Sequence, residues 1–264
     1  MIDSSVFNGW NKSFDKLRYK HDTWYIFRDW LDMTVDGFTI PGMKPLFQHP
    51  DKYSEQEYIY FSDMFRAYIQ SMDKVLVDRP YFDFLGEWWE SDQNMTNKFK
   101  AQFFTPMHVV DLMCQLTLND DMSKTPKVMS DCCCGSGRFG LAWHHYRPMD
   151  WFFLADLDDY AVKMTLINMC LHGMRGVVAH MNTLTYEVFG VWPVTPFDTG
   201  GLPYIVPYGT DLMGAKTILP REVFEAPSVN TMNSDKTETT IDSMSTVESI
   251  TKSNKKGGLD AWLY

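Results

Sequence analysis

Asp131-Cys132-Cys133-Cys134-Gly135-Ser136-Gly137-Arg138 joins a short β-type run over residues 127–134 to a helical stretch over residues 138–146. A glycine turn between strand and helix lets the backbone approach a ligand closely, and the helix N-terminus adds unpaired N–H groups and the positive end of a dipole. Gly135, Ser136 and Gly137 are therefore candidate anion-binding residues, although a plain tight turn uses the same residue types. Working outward, the compact apolar run over residues 151–155 ends in Asp156, residues 160–172 read as a helix closed by Gly173, and residues 177–179 read as another strand. Strand, helix, strand, helix, strand is the doubly wound α/β pattern with a parallel sheet. In such folds an acidic residue ending the second strand accepts hydrogen bonds from ribose hydroxyls, and Asp156 fits that role. Asp158 is either a second contact to an adenosine or the N-cap of the helix that follows, and the cap is favoured.

Upstream, the first hundred residues are mostly helical. Trp24, Phe27, Trp30 and Leu31 recur at helical spacing, as do Phe61, Met64, Phe65, Tyr68 and Met72. Residues 37–50, broken by Pro41, Gly42, Pro45 and Pro50, read as a loop. Trp88 and Trp89 could stack on bases, but core packing is the better explanation of aromatics this dense. Downstream of about residue 200 the pattern weakens, and residues 228–258 are rich in Ser, Thr, Asn and Lys with few large apolar groups, the composition of a flexible tail. The expected organisation is a helical region over residues 1–100, an α/β region over 101–226 and a low-complexity tail over 227–264.

The net charge of −10 disfavours a chain that grips DNA by itself, because non-specific affinity comes largely from Lys and Arg against phosphates. Lys12, Lys16, Arg18 and Lys20 are the nearest thing to a basic face, and a solvated helix surface explains them more simply. Five cysteines, three of them consecutive, make a poor disulfide framework and fit a reducing compartment. No apolar run reaches the roughly 18 residues of a membrane span, and no signal peptide opens the chain, so the expected location is the cytoplasm. Metal binding by Cys132, Cys133 and Cys134 with His144 and His145 is not expected. Alternate residues of a strand point to opposite faces, and no second Cys or His pair completes a tetrahedral set.

Three blocks in order carry a more specific likeness: Phe103-Phe104-Thr105-Pro106, then Cys134-Gly135-Ser136-Gly137-Arg138, then the stretch from Asp156 through Asp158 and Asp159 to Gly173. Over residues 82–189 the chain resembles the N6-adenine DNA methyltransferases, especially the modification subunits of type I restriction systems. The resemblance implies a Rossmann-like fold for binding S-adenosylmethionine (SAM). By it, Phe103, Phe104, Thr105 and Pro106 lie over the methionine end of SAM, and Thr105 is a hydrogen-bonding candidate. Asp131 orients the glycine loop or contacts the methionine amine, unless it only caps the next turn. Asn182 falls where such proteins carry an acidic residue near the adenine ring. The family's usual glycine is replaced by Ala101.

The resemblance also implies a catalytic tetrapeptide of Asn or Asp, two prolines and an aromatic, whose oxygens accept the hydrogens of the target amine while the ring stacks on a flipped base. Gly201-Leu202-Pro203-Tyr204 stands where it is expected. Pro203 and Tyr204 match its second half, Gly201 lacks the acceptor, and Asp198 is the substitute acceptor if the loop folds back. The leading expectation is a SAM-dependent DNA adenine-N6 methyltransferase relying on a partner specificity subunit to reach DNA, without metal and without a membrane. The alternatives are a SAM-binding pseudoenzyme or regulatory subunit, and an acidic protein that binds a restriction-modification complex.

Overall fold

The computed structural model describes residues 3–91, 103–118, 125–195, 203–212 and 214. Ala101, Asp198, Gly201, Leu202 and the tail over residues 227–264 lie outside them.

The sheet follows from the apolar strands. β1 (Val128–Asp131), β2 (Trp151–Asp156) and β3 (Gly176–Asn182) pair in parallel, with Asp131 opposite Leu154 and Asp156 opposite His180. Phe152, Phe153, Leu154 and Ala155 are buried on both faces, as a strand covered on two sides must be. Two crossover helices make the parallel connections, α6 (Arg138–Tyr146) and α7 (Asp159–Leu171). Asp158 caps α7 by accepting from the Tyr160 N–H at 3.4 Å, the simpler of its two expected roles.

The expected all-parallel sheet stops at β3. β4 (Glu187–Thr195) runs back antiparallel to β3, and the two-residue β5 (Tyr204–Ile205) pairs antiparallel with β4, so the spatial order of the strands is the order in sequence, β1-β2-β3-β4-β5. Asn182 makes the reversal. Its Oδ1 accepts from the N–H groups of Leu184 at 3.1 Å and Thr185 at 3.2 Å, an Asx turn at the end of β3. A doubly wound sheet commonly continues on both sides of its first strand. Among the described residues β1 pairs with β2 alone and ends the sheet.

The helical region comprises α1 (Asn8–Arg18), α2 (Thr23–Phe38), α3 (Glu55–Val75) and α4 (Phe84–Ser91), followed by α5 (Met107–Leu118). α3 begins with a reciprocal capping box between Ser54 and Glu57. Trp10 lies at the centre, with edge contacts to Trp30 at 4.5 Å, Trp88 at 5.3 Å and Phe84 at 5.6 Å between ring centroids. Trp88 and Trp89 are buried, so both belong to the core. One hydrophobic cluster runs from these rings through Phe152, Leu154 and Val178 of the sheet. The described helices include none long and apolar enough to cross a membrane.

Candidate functional site

Parallel strands converge their carboxyl ends on one rim, and there the glycine turn opens a cavity of about 390 Å³. That size lies within the range of small-molecule sites. Asp131 ends β1 and Asp156 ends β2, and both line the cavity with Gly135, Ser136 and Cys133. Phe103, Phe104 and Thr105 cover it from the opposite side, and Val110, Met113 and Phe139 supply apolar wall. The structure thus brings two blocks distant in sequence to one concavity.

The turn is built for close approach. Gly135 has φ +55°, and a Cβ there would meet the Phe104 ring at 2.7 Å; Gly137 has φ +88° and packs against Thr165. Asp156 pins the turn: its Oδ2 accepts from the Gly135 N–H at 2.8 Å, and its Oδ1 from the Asp158 N–H at 2.9 Å. Each carboxylate oxygen has two lone pairs, so acceptor capacity is left for a ligand hydroxyl. Asp131 accepts from the Cys133 N–H at 3.0 Å. Burial raises its pKa above the ordinary carboxylate value, the Cys133 bond opposes that, and the Asp156 charge adds to it.

A group whose folded pKa is raised binds more protons folded than unfolded. Its contribution to stability therefore falls as pH rises from the ordinary value through the raised one. Asp131→Asn should accordingly gain thermal stability at neutral pH, about 2–4 °C for each kcal/mol recovered. It should also flatten the loss of stability as pH rises above the ordinary carboxylate value and weaken any ligand that needs the carboxylate. Melting temperatures measured over that rise check it, and a parent-like slope would reject the assignment.

Some expected residues face elsewhere. The Ser136 hydroxyl is fully buried and donates to Asp83 at 2.5 Å, so its side chain is committed behind the turn. Gly137, Pro106 and Asp158 do not line the cavity, and Asn182 has its oxygen on the turn after β3. Pro203 and Tyr204 lie at and beside β5, the opposite edge of the sheet from β1. The register also puts them at the end of the strands away from the rim, since Ile205 pairs with Val194 and Val194 with Gly176, the first residue of β3. They are not brought to the cavity, and Asp198 lies outside the described residues.

Two of the four residues of the expected basic face have carboxylate partners. Arg18 pairs with Asp15 at 2.9 Å, Lys20 approaches Glu57 at 3.4 Å, and Lys16 sits over the Tyr60 ring at 4.6 Å. Among the described residues no group of three His, Cys, Asp or Glu is placed to hold a metal ion. The Cys134 thiol is buried, which pushes its pKa up, and lies 3.6 Å from the Thr165 hydroxyl.

Behind the turn lies a polar cluster that the motifs do not reveal. Asp83, with no exposed surface, accepts from Ser136 Oγ, from Arg138 Nε at 2.7 Å, from Asn168 Nδ2 at 2.9 Å and from the Gly86 N–H at 2.9 Å. Arg138 reaches on to Glu90 Oε2 at 2.8 Å and the Thr105 carbonyl at 3.3 Å. Burial works to lower the pKa of this guanidinium, and the charges of Asp83, Glu90 and Glu87 outweigh it, so Arg138 stays charged. The signal for this cluster was a carboxylate inside the apolar run Tyr81-Phe82-Asp83-Phe84-Leu85, because a buried charge requires partners.

A family model for N-6 DNA methylases matches residues 82–237, beginning beside Asp83 and taking in the cover, the glycine turn and the whole sheet. No curated protein and no solved structure matches the chain. With more than half of its 264 residues inside that match, and the matched blocks folded around one cavity, the chain belongs to the N-6 DNA methylase family.

Proposed function

We propose that the cavity at the rim of β1 and β2 binds SAM in a Rossmann-like arrangement, and that the chain is the SAM-binding subunit of a DNA adenine-N6 methylation system. The observation that carries the reading is the meeting of residues 103–105 with the glycine turn and two strand-end carboxylates around one cavity. The donor and acceptor set suits the cofactor. Asp156 accepts from ribose hydroxyls, Asp131 from the methionine amine, and the start of α6 faces the carboxylate. The exposed Phe103 ring offers an apolar face to the methionine end. Bound SAM would supply an activated methyl group for an amine acceptor.

Binding and transfer make different demands. A base in a duplex must be flipped out and held by acceptors and a stacking ring. Pro203 and Tyr204 stand at the far edge of the sheet, and β1 is its other edge among the described residues. This favours a second reading in which the chain binds SAM but transfers no methyl group alone, with a partner subunit supplying target recognition and the amine acceptor. The acidic net charge of −10 agrees with delegation of DNA binding.

Equilibrium binding of labelled SAM, followed by incubation with adenine-containing DNA, separates the readings. Label in DNA from the purified chain establishes a self-sufficient transferase. Binding with label transferred only after lysate is added supports the partner-dependent form. Binding with no transfer under either condition leaves the SAM-binding subunit, and no binding rejects every form of the proposal.

A further inference from the structure

The cover over residues 103–106 belongs to no helix or strand, yet its position sets one wall of the cavity. Backbone polar groups need partners, and here two side chains provide them. The Phe104 N–H donates to Glu90 Oε1 at 2.9 Å, and the Thr105 carbonyl accepts from Arg138 Nη1 at 3.3 Å. The two side chains are joined, because Glu90 Oε2 accepts from Arg138 Nη2 at 2.8 Å. Arg138 is also the first residue of α6, directly after the glycine turn, and its guanidinium lies 5.3 Å from the centre of the Phe104 ring. One carboxylate thus ties the cover to the turn by charge-assisted hydrogen bonds on both of its oxygens.

We propose that Glu90 is a positioning residue for the cofactor: through Phe104 and Arg138 it latches residues 103–106 over the glycine turn and so sets the width of the cavity. Glu90 lines no part of the cavity and acts on a ligand only through the groups it holds. The neighbouring Asp83 has a different task, since it anchors Arg138 and Ser136 from the buried side. Glu90 stands at the solvent end of the same guanidinium, with its side chain 27% exposed. Its loss should therefore release the cover while leaving the fold in place.

The inference deepens the SAM reading and rests on it, so its test has one arm free of SAM. Hydrogen exchange at the Phe104 amide is followed in the unliganded full chain for the parent, Glu90→Ala and Glu90→Gln. Affinity for S-adenosylhomocysteine is measured by calorimetry on the same three proteins, with melting temperatures alongside. Glu90→Ala should speed exchange at Phe104 and weaken the ligand about tenfold, the factor that about 1.4 kcal/mol represents, with little change in melting temperature. Glu90→Gln should recover part of both, because its Oε1 still accepts from the Phe104 N–H while its amide cannot accept from Arg138. Unchanged exchange in Glu90→Ala overturns the latch whatever the affinity does. Faster exchange with unchanged affinity overturns its bearing on the cavity. If the parent does not bind the ligand, the SAM reading and the cofactor role given to Glu90 fail together, and the exchange arm alone decides whether the latch exists.

Discussion

Asp83→Ala is expected to cost about 3–5 kcal/mol of folding stability, the range found when one partner of a buried ion pair is removed. The cause is the isolation of what remains. Arg138, with a side chain only 4% exposed, loses its shortest charge partner, and Ser136 Oγ and Asn168 Nδ2 lose theirs in the same stroke. Glu90 and Glu87 keep the guanidinium partly compensated, at 2.8 and 3.4 Å, which places the cost within that range and not above it. At about 2–4 °C per kcal/mol for a chain of this size, the melting temperature should fall by roughly 6–20 °C. Asp83→Asn keeps one acceptor oxygen and should fall between parent and alanine. Denaturant unfolding followed by tryptophan fluorescence measures the effect. A loss below 1 kcal/mol for alanine would show that the cluster relaxes or takes in water, and would remove Asp83 as the support of the glycine turn.

The contrast between Asp83 and the glycine turn shows where sequence reading reaches its limit. β1, α6, β2, α7 and β3 were legible because each is written in local terms: an apolar run for a strand, a helical period, a capping Asp158, a closing Gly173 at φ +70°. The meeting of residues 103–105 with the turn became legible only through the order of separated blocks, since nothing local says that Phe104 will cover Gly135. The inward direction of Ser136 and Arg138 was hidden for a related reason. Their partner Asp83 lies 53 and 55 residues upstream, and a motif records residue types without recording which way they point.

The β3-β4 hairpin was missed because strand pairing is a non-local choice. Val191 and Val194 of β4 are buried, but Pro193 reads as a break, and strands confine proline to positions where its missing N–H does no harm. Here the Pro193 carbonyl still accepts from the Val206 N–H at 2.9 Å, so β4 keeps its place without that donor. That hairpin also has a functional consequence. It keeps β4 and β5 on the β3 side of the sheet, so Pro203 and Tyr204 arrive at the edge away from β1.

Asp156→Ala carries the largest expected effect on binding, a loss of SAM affinity of about 100-fold or more, equivalent to about 2.7 kcal/mol. Two contributions add in it. In the proposed site the carboxylate would offer lone pairs to the ribose hydroxyls, and it already holds the turn through Gly135 and the start of α7 through Asp158, so alanine would remove a ligand contact and loosen the loop. Asp156→Asn separates the two: its single oxygen can still accept from Gly135, and a loss of about tenfold is expected when one charge-assisted acceptor is replaced by a neutral one. Because Asp156 is half-buried at the rim, both variants should keep the parent's far-UV spectrum, which distinguishes a binding defect from unfolding. Removing the Asp156 charge also takes away one of the causes that raise the Asp131 pKa, so the pH dependence assigned to Asp131 should shift toward lower pH in both variants. Unchanged affinity with that shift present would mean that Asp156 is an electrostatic neighbour of the turn and not the ribose acceptor.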